Sequence, residues 1–241
     1  MFDGVQTRGH SRLQDISVPT RNHLLSAVSR ADWVLLAPQL TPVTLTFGDI
    51  LYESGERIRY VYFPEDALVS LLTIVDKHLA LEVGMVGREG MVGVARAMGV
   101  ATNPLRALVQ GAGTAMRMPA AAFNKSLLPS TSLQNAVSLY THALLMQVAQ
   151  TAACNRFHDV PARLARWLLM TRDRLNNDQF RLTHEFLSHM LGVRRVGVTT
   201  AANALRQRNL IEYKRGQISI LDQPGLEAAA CSCYRKLNAS A

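Results

Sequence analysis

The residues best placed to do chemistry in this 241-residue chain are cations. Residues 156–215 carry twelve Lys/Arg against five Asp/Glu. Residues 1–155 carry twelve against eleven, and residues 216–241 two against two. The net charge of +8 is therefore concentrated in one stretch. Such a field attracts polyanions, and phosphate contacts by Lys and Arg release condensed counterions. DNA, RNA and anionic membrane all answer to that chemistry, so charge alone does not choose among them. Enzyme chemistry has less to work with. The sequence shows no P-loop, no nucleophile elbow and no acid–base pair at a recognisable spacing. A cupin-like metal barrel would need clustered His and Glu, and its region offers only His78 beside Asp76 and Glu82. Cys154, Cys231 and Cys233 make no disulfide framework and fall short of the four or so thiolates of an iron–sulfur cluster. His184 and His189 are five apart, not the three or four that put two ligands on one helix face. No catalytic residue and no metal is expected.

The elements that would present those cations lie at Leu182–Leu221. Thr183 suits a helix N-cap and Glu185 the positive end of the helix dipole. Phe186, Leu187, Met190 and Leu191 form one apolar face, and Gly192 provides the chain reversal. A second helix is expected over about 194–208, with Val198, Ala201, Ala202 and Leu205 inward. Arg195, Val196, Thr199, Thr200 and Asn203 would face outward. Ile211–Tyr213 and Gln217–Ile220 alternate like strands about a turn at Lys214-Arg215-Gly216. Helix, Gly turn, helix and hairpin form the layout of a winged helix-turn-helix, whose second helix enters the DNA major groove. Two amphipathic helices around a Gly also occur in proteins that touch no DNA. The basic outward face, the basic wing and the charge distribution favour DNA here.

The rest of the chain reads in blocks. Residues 1–20 are polar and irregular, and a flexible segment is expected. They contain no apolar signal region, so a cytoplasmic location is expected, with no membrane partner. Arg21–Leu36 has helical spacing. From Thr41 to Met118, short alternating strands are broken by Gly and Pro turns, which predicts a small barrel or sandwich. Pro119–Leu128 is a helical link. Thr131–Asn155 is one long amphipathic pattern with the stripe Leu133, Val137, Tyr140, Leu144 and Val148. A helix of roughly 25 residues is about 37 Å long, more than a small barrel covers. A second copy of the same helix is the economical partner, so the stripe predicts a parallel homodimer interface. Packing on its own barrel is the other use of that stripe. Asn155–His158 would be a hinge, Asp159 the cap of the next helix, and Pro224–Asn238 a short terminal helix.

In this order the chain resembles the Crp–Fnr family of transcription regulators over roughly residues 20–223. The resemblance is carried by LTHEFLSHMLG at Leu182–Gly192 with Val193–Leu205, the wing at Ile211–Ile220, and RLARWLL at Arg163–Leu169. VGREGMVG at Val86–Gly93, QTAACNR at Gln150–Arg156 and LEAAACSCYR at Leu226–Arg235 mark one branch. The implied fold is α+β: a cyclic-nucleotide-binding-like β-roll (21–128), a dimerisation helix (129–156) and a winged helix-turn-helix (157–241). The implied function is a homodimeric, sequence-specific regulator on double-stranded DNA, with RNA polymerase as a further partner. Two-fold symmetry asks for a near-palindromic site with half-sites about 34–36 Å apart. By position in the motif, Arg195 is the leading base reader, able to pair with guanine O6 and N7. Thr183 and His184 lie near phosphates, Lys214 and Arg215 add backbone contacts, and Arg194 stands where a Ser or Thr cap is usual.

The departures narrow the reading. The family's Glu after the leading Arg is Val196 here, and a further basic reader is Thr200. In the β-roll, classical cyclic-nucleotide binders place a Glu after a Gly and an Arg on the phosphate. Here Val94 follows Gly93, and the Arg position falls at Leu105 with Arg106 one residue out of step. A one-residue slip on a strand points a side chain to the opposite face. A classical cyclic AMP site is therefore degenerate and no cofactor is expected. Arg88, Glu89 and Arg106 are the candidates for another nucleotide effector, with a plain solvated turn as the other use of Arg88 and Glu89. The rival reading is a nucleotide-sensing module that acts on a protein partner without DNA; it would retain the barrel's ligand groups and lose the basic wing.

Overall fold

The computed structural model describes residues 19–75 and 79–238. Most of the N-terminal segment, and the turn holding Asp76 and His78, lie outside the described residues. Helices α1 (His23–Ser26) and α2 (Arg30–Leu36) come first. One helix was expected here. The Ser29 hydroxyl instead accepts from the Asp32 amide and restarts the helix, so a local cap divides the apolar pattern. Strands β1 (Thr41–Leu45), β2 (Ile50–Tyr52), β3 (Tyr60–Pro64), β4 (Leu68–Val75), β5 (Leu79–Val86), β6 (Arg106–Gly111) and β7 (Gly113–Pro119) follow. They form two antiparallel sheets, in orders β1-β7-β3 and β2-β6-β4-β5. Leu45, Val61, Phe63, Val69, Val109 and Met118 are buried in the core of this roll.

Strand β4 shows why the roll and the C-terminal half belong together. Val69 and Leu71 enter the roll's core, while Leu68 and Leu72 enter a second core with Leu164, Leu168 and Leu169. A strand covered on both faces needs a mostly apolar sequence, and Leu68–Val75 is apolar except at Ser70 and Thr73. On the edge of the same sheet, β5 presents unpaired backbone groups. The Gln147 side chain answers them: its Oε1 accepts from the Met85 amide at 2.6 Å and its Nε2 donates to the Met85 carbonyl at 3.2 Å.

After α3 (Ala120–Leu127) the long helix α4 runs Thr131–Phe157, capped by the Ser130 hydroxyl on the Leu133 amide. The stripe expected to meet a second copy is turned inward. Leu133, Val137 and Tyr140 are buried in the roll's core, Leu144 packs against it, and Val148 is half-buried. The exposed face carries Leu139, Leu145, Met146, Ala149, Ala152 and Ala153 instead. The expected hinge shifts too. Helix α4 stays helical through Phe157, and the chain breaks at extended His158 and Asp159.

The C-terminal half contains α5 (Val160–Leu175), β8 (Gln179–Arg181), α6 (His184–Leu191), α7 (Arg195–Gln207), β9 (Ile211–Lys214), β10 (Gln217–Ile220), α8 (Gln223–Ala229) and α9 (Cys233–Asn238). Asp159 caps α5 on the Ala162 amide. The wing has three strands, β8-β10-β9, because Gln179–Arg181 adds an edge the sequence pattern did not show. The single terminal helix expected at 224–238 is two, broken where Ala230 turns extended. No helix among the described residues is long and apolar enough to cross a membrane.

Candidate nucleic-acid interface

The interface is built on α6 and α7. The Thr183 hydroxyl accepts from the Phe186 amide at 3.1 Å and so fixes where α6 starts. Gly192 ends it in the left-handed region, φ 60°, and the Val193 amide closes onto the Ser188 carbonyl at 3.0 Å. Val198, Ala201, Ala202 and Leu205 are all buried on the inner face of α7. Two alanines among them suit the close approach of α7 to α5. Arg194 is the N-cap; its carbonyl accepts from the Gly197 amide at 2.8 Å, while its side chain makes no cap bond and is exposed.

The outer face of α7 then follows from helical geometry. Arg195, Val196, Thr200, Asn203 and Arg206 are exposed, Val196 to 75%. Lys214 and Arg215 sit exposed at the wing tip, where Arg215 (φ 52°) and Gly216 (φ 78°) make the tight turn. Among the described residues, none of Arg194, Arg195, Arg206, Lys214 or Arg215 joins a carboxylate in an ion pair. Their charge is available to an external anion.

His184 and Thr199 have internal work. The His184 ring stacks on Tyr213 of β9, centroids 4.3 Å apart. Its Nδ1 lies 2.9 Å from Thr199 Oγ1, and that hydroxyl donates to the Arg195 carbonyl at 3.1 Å. The hydroxyl proton is thereby used, so Nδ1–H of His184 is the donor in the first bond. Burial first, and then the nearby Arg195 charge, hold the imidazole below the ordinary histidine range, so it is neutral at pH 7. His184 joins α6, α7 and the wing at one point, a role its expected place near a phosphate did not reveal. Thr200 Oγ1 donates to its own helix, at the Val196 carbonyl, 3.0 Å.

The proposed effector residues are dispersed. Arg106 Nε donates to Glu53 Oε2 at 2.7 Å, and Arg174 Nε of α5 donates to Glu89 Oε1 at 2.7 Å. Arg88 is half-buried, and its carbonyl accepts from the His23 amide at 2.7 Å. No contact among the described residues brings Arg106 to Arg88 or Glu89. Val94 and Ala95 are buried in the roll's core, and Leu105 packs against it.

Sequence reasoning missed the groups that join the halves. A buried polar chain runs from Trp167 Nε1 to Glu82 Oε1 (2.9 Å), and from Glu82 Oε2 to Ser70 Oγ (2.6 Å). It continues to Gln110 Oε1, and Gln110 Nε2 donates to Thr171 Oγ1 at 2.9 Å. It starts and ends on α5 after passing through β5, β4 and β6. Phe47 of the roll meets Phe186 of α6, rings 5.4 Å apart. The Glu89–Arg174 pair and this chain lie between segments tens of residues apart, which no local pattern exposes.

Metal-type donors do gather in one place, remote in sequence from α7: Cys154, His158, Cys231 and Cys233. The sequence shows no such spacing because Cys154 and Cys231 are 77 positions apart and meet only in the folded chain. The Cys154 thiol is held below the ordinary thiol range, chiefly by its hydrogen bond with Cys231 and also by the Arg166 charge, against its burial.

With this geometry in view, residues 162–229 match the Crp-like helix-turn-helix domain family. No curated protein matches the sequence. Solved structures match most of the chain. A putative transcriptional regulator of the Crp/Fnr family from Eubacterium rectale is 16% identical, covering 86% of this chain and 97% of its own, with a TM-score of 0.69. FixK2 from Bradyrhizobium japonicum is 14% identical, covering 80% and 98%, with a TM-score of 0.68. The c-di-GMP-responsive global regulator CLP of Xanthomonas campestris is 14% identical, covering 80% and 100%, with a TM-score of 0.66. Residues 162–229 thus form a Crp-like helix-turn-helix domain, and the chain shares the fold of these solved structures.

Proposed function

We propose that the chain acts as a homodimer that reads a near-palindromic DNA site with α7 in the major groove. The observation that carries this is the outer face of α7 and the wing: cations without internal partners on a rigid, capped scaffold. Arg195 is the principal base reader, with its planar donors aimed at guanine O6 and N7. Val196, an apolar side chain 75% exposed in the first turn of α7, suits a thymine methyl group. Asn203 is free to pair with adenine. Lys214 and Arg215 hold phosphates and set register. Thr183 and His184 serve mainly by fixing α6 and the wing in place.

The dimer forms through the exposed face of α4. Leu139 is 72% and Leu145 59% exposed, on the same side as Met146 and the small Ala149, Ala152 and Ala153. Large apolar side chains in water beside small ones fit a second copy of the helix packed closely. Leu145→Glu places a charge in that seam and converts the dimer to a monomer in sedimentation. A variant that stays dimeric at micromolar concentration puts the interface elsewhere.

The function is tested by selecting bound duplexes from a random DNA pool at near-physiological salt. A two-fold motif is the expected result. Arg195→Ala then costs about 1–3 kcal/mol, roughly five- to 150-fold in affinity, and relaxes preference at one base of each half-site. A uniform loss with the motif unchanged would instead make Arg195 a phosphate contact. No motif, with or without a panel of nucleotides, overturns the DNA reading.

A further inference from the structure

We propose that Cys154, His158, Cys231 and Cys233 form a Zn²⁺ site that fastens the end of the long helix to the C-terminal tail. The four donor atoms all lie within 4.8 Å of one another. Cys154 Sγ is 3.4 Å from Cys231 Sγ, and Cys233 Sγ is 3.5 Å from His158 Nδ1. A tetrahedral ion with Zn–S near 2.3 Å and Zn–N near 2.0 Å sets S···S at about 3.8 Å and S···N at about 3.5 Å. Two of these pairs already stand within about 0.4 Å of those values, and the 4.8 Å bound on the others exceeds them by about 1 Å, so modest side-chain shifts close the cluster around one ion. Three thiols and an imidazole, with no carboxylate among them, suit zinc and not Mg²⁺ or Ca²⁺.

The local structure assembles these donors deliberately. Cys154 and His158 are four apart at the end of α4, on one face of a helical turn. Cys231 and Cys233 flank the break between α8 and α9. An unbroken terminal helix would place them on different sides. All three cysteines are buried and His158 is half-buried, so the thiols are screened from water. Gln150, one turn before Cys154, donates its amide to Cys233 Sγ at 2.9 Å. That is the kind of outer-shell bond that orients a metal-bound thiolate.

Charge supplies an independent argument. Arg163 and Arg166 are buried, and among the described residues neither forms an ion pair with a carboxylate. Each leaves a buried Nε without a partner. Both act electrostatically on the cysteine cluster. A Zn²⁺ ion with three thiolates and a neutral imidazole carries a net charge of −1. It adds negative charge beside two buried guanidinium groups that form no ion pair among the described residues.

With four protein ligands the site is closed, so its role is structural. It lies beside the His158–Asp159 joint between α4 and α5 and ties the end of α4 to the tail that packs on α5. Zinc would therefore hold that joint in one geometry, and its loss would loosen it.

The test uses the full-length protein, purified under reductant and stripped of metal by a chelator. One equivalent of Zn²⁺ per chain should rebind, raise the unfolding midpoint by several degrees, and protect three thiols from a mercurial reagent. Co²⁺ in its place should show thiolate-to-cobalt charge transfer and the strong visible bands of a tetrahedral ion. Cys233→Ser and His158→Gln should each lose stoichiometric binding. Should either variant fail to fold, the cobalt spectrum of the unaltered chain still decides. A reduced protein that binds no Zn²⁺ at micromolar concentration overturns the proposal. So does a cobalt spectrum without thiolate charge transfer, or a Cys154–Cys231 disulfide that forms equally fast with and without zinc.

Discussion

Replacing Gly90 by alanine should destabilise the protein by about 3 kcal/mol or more, near the upper end for overpacking. A Cβ added there lands 1.8 Å from Tyr140 Cε2, 2.3 Å from Cζ and 2.4 Å from Cδ2. Non-bonded carbons prefer about 3.5–4.0 Å. Neither side can give way easily. Tyr140 is buried in the roll's core on the rigid helix α4. The Gly90 carbonyl is held by Asn22 Nδ2 at 2.9 Å, an amide that also donates to the Pro64 carbonyl at 2.8 Å. Gly90 is not among the glycines with positive φ, so the penalty is steric and not conformational. That makes it reversible in a specific way. Tyr140→Ala alone should cost about 3–5 kcal/mol through its cavity. In that background Gly90→Ala should cost little, a coupling of at least about 1 kcal/mol in a urea-denaturation cycle. If the two losses simply add, the ring does not sit over Gly90.

Glu82→Gln should stabilise the protein by no more than about 1 kcal/mol at pH 5 and by about 3 kcal/mol at pH 8. Burial, the largest influence, pushes the Glu82 carboxyl up to about 7 against the opposing pull of Ser70, Trp167, Arg166 and Arg174. A carboxyl raised above its ordinary 4.5 holds its proton more tightly folded than unfolded. Its contribution to stability is thus fully present below about pH 4.5, declines between there and pH 7, and is lost above. The hydrogen bonds agree with the protonated form. Ser70 has one proton and two close acceptors, Glu82 Oε2 at 2.6 Å and Gln110 Oε1 at 2.5 Å. A Glu82 proton given to Ser70 Oγ frees the Ser70 proton for Gln110. Glutamine reproduces that pattern, since its Nε2 donates to Ser70 and its Oε1 accepts from Trp167. Because the chain of bonds begins and ends on α5, ionising Glu82 strains the contact between roll and DNA-binding half. Chemical denaturation of both proteins from pH 5 to pH 8 measures the effect. Parallel curves would place the carboxyl's ionisation outside that range.

The parts that short-range chemistry controls were legible in the chain. Thr183 before an apolar helical face, Gly192 after it, and Lys214-Arg215-Gly216 between alternating residues are each decided within a few residues. A cap, a left-handed reversal and a tight turn depend on the backbone immediately beside them. The inward positions Val198, Ala201, Ala202 and Leu205 followed from the 3.6-residue repeat alone. The mostly apolar run at Leu68–Val75 marked a strand but not its reason, which is burial against two cores at once.

Tertiary structure decided what each surface meets. Helix α4 is apolar on two sides, and periodicity cannot rank them. The roll took Leu133, Val137 and Tyr140, and Leu139 and Leu145 were left facing water. Nothing local distinguishes Glu82 or Glu89 from solvated acids, because their partners Trp167 and Arg174 each lie 85 positions away. The same holds for the cysteines: Cys154 alone on a helix and Cys231 and Cys233 in a tail describe no site until α8 and α9 break and fold the tail back. Sequence by itself thus determined the local shapes and the charged face of the DNA-binding half, since capping, turn chemistry and charge act over a few residues. The buried polar chain, the inward face of α4 and the Cys–His cluster depended on contacts between distant segments, whose free energy appears only when the chain has closed on itself.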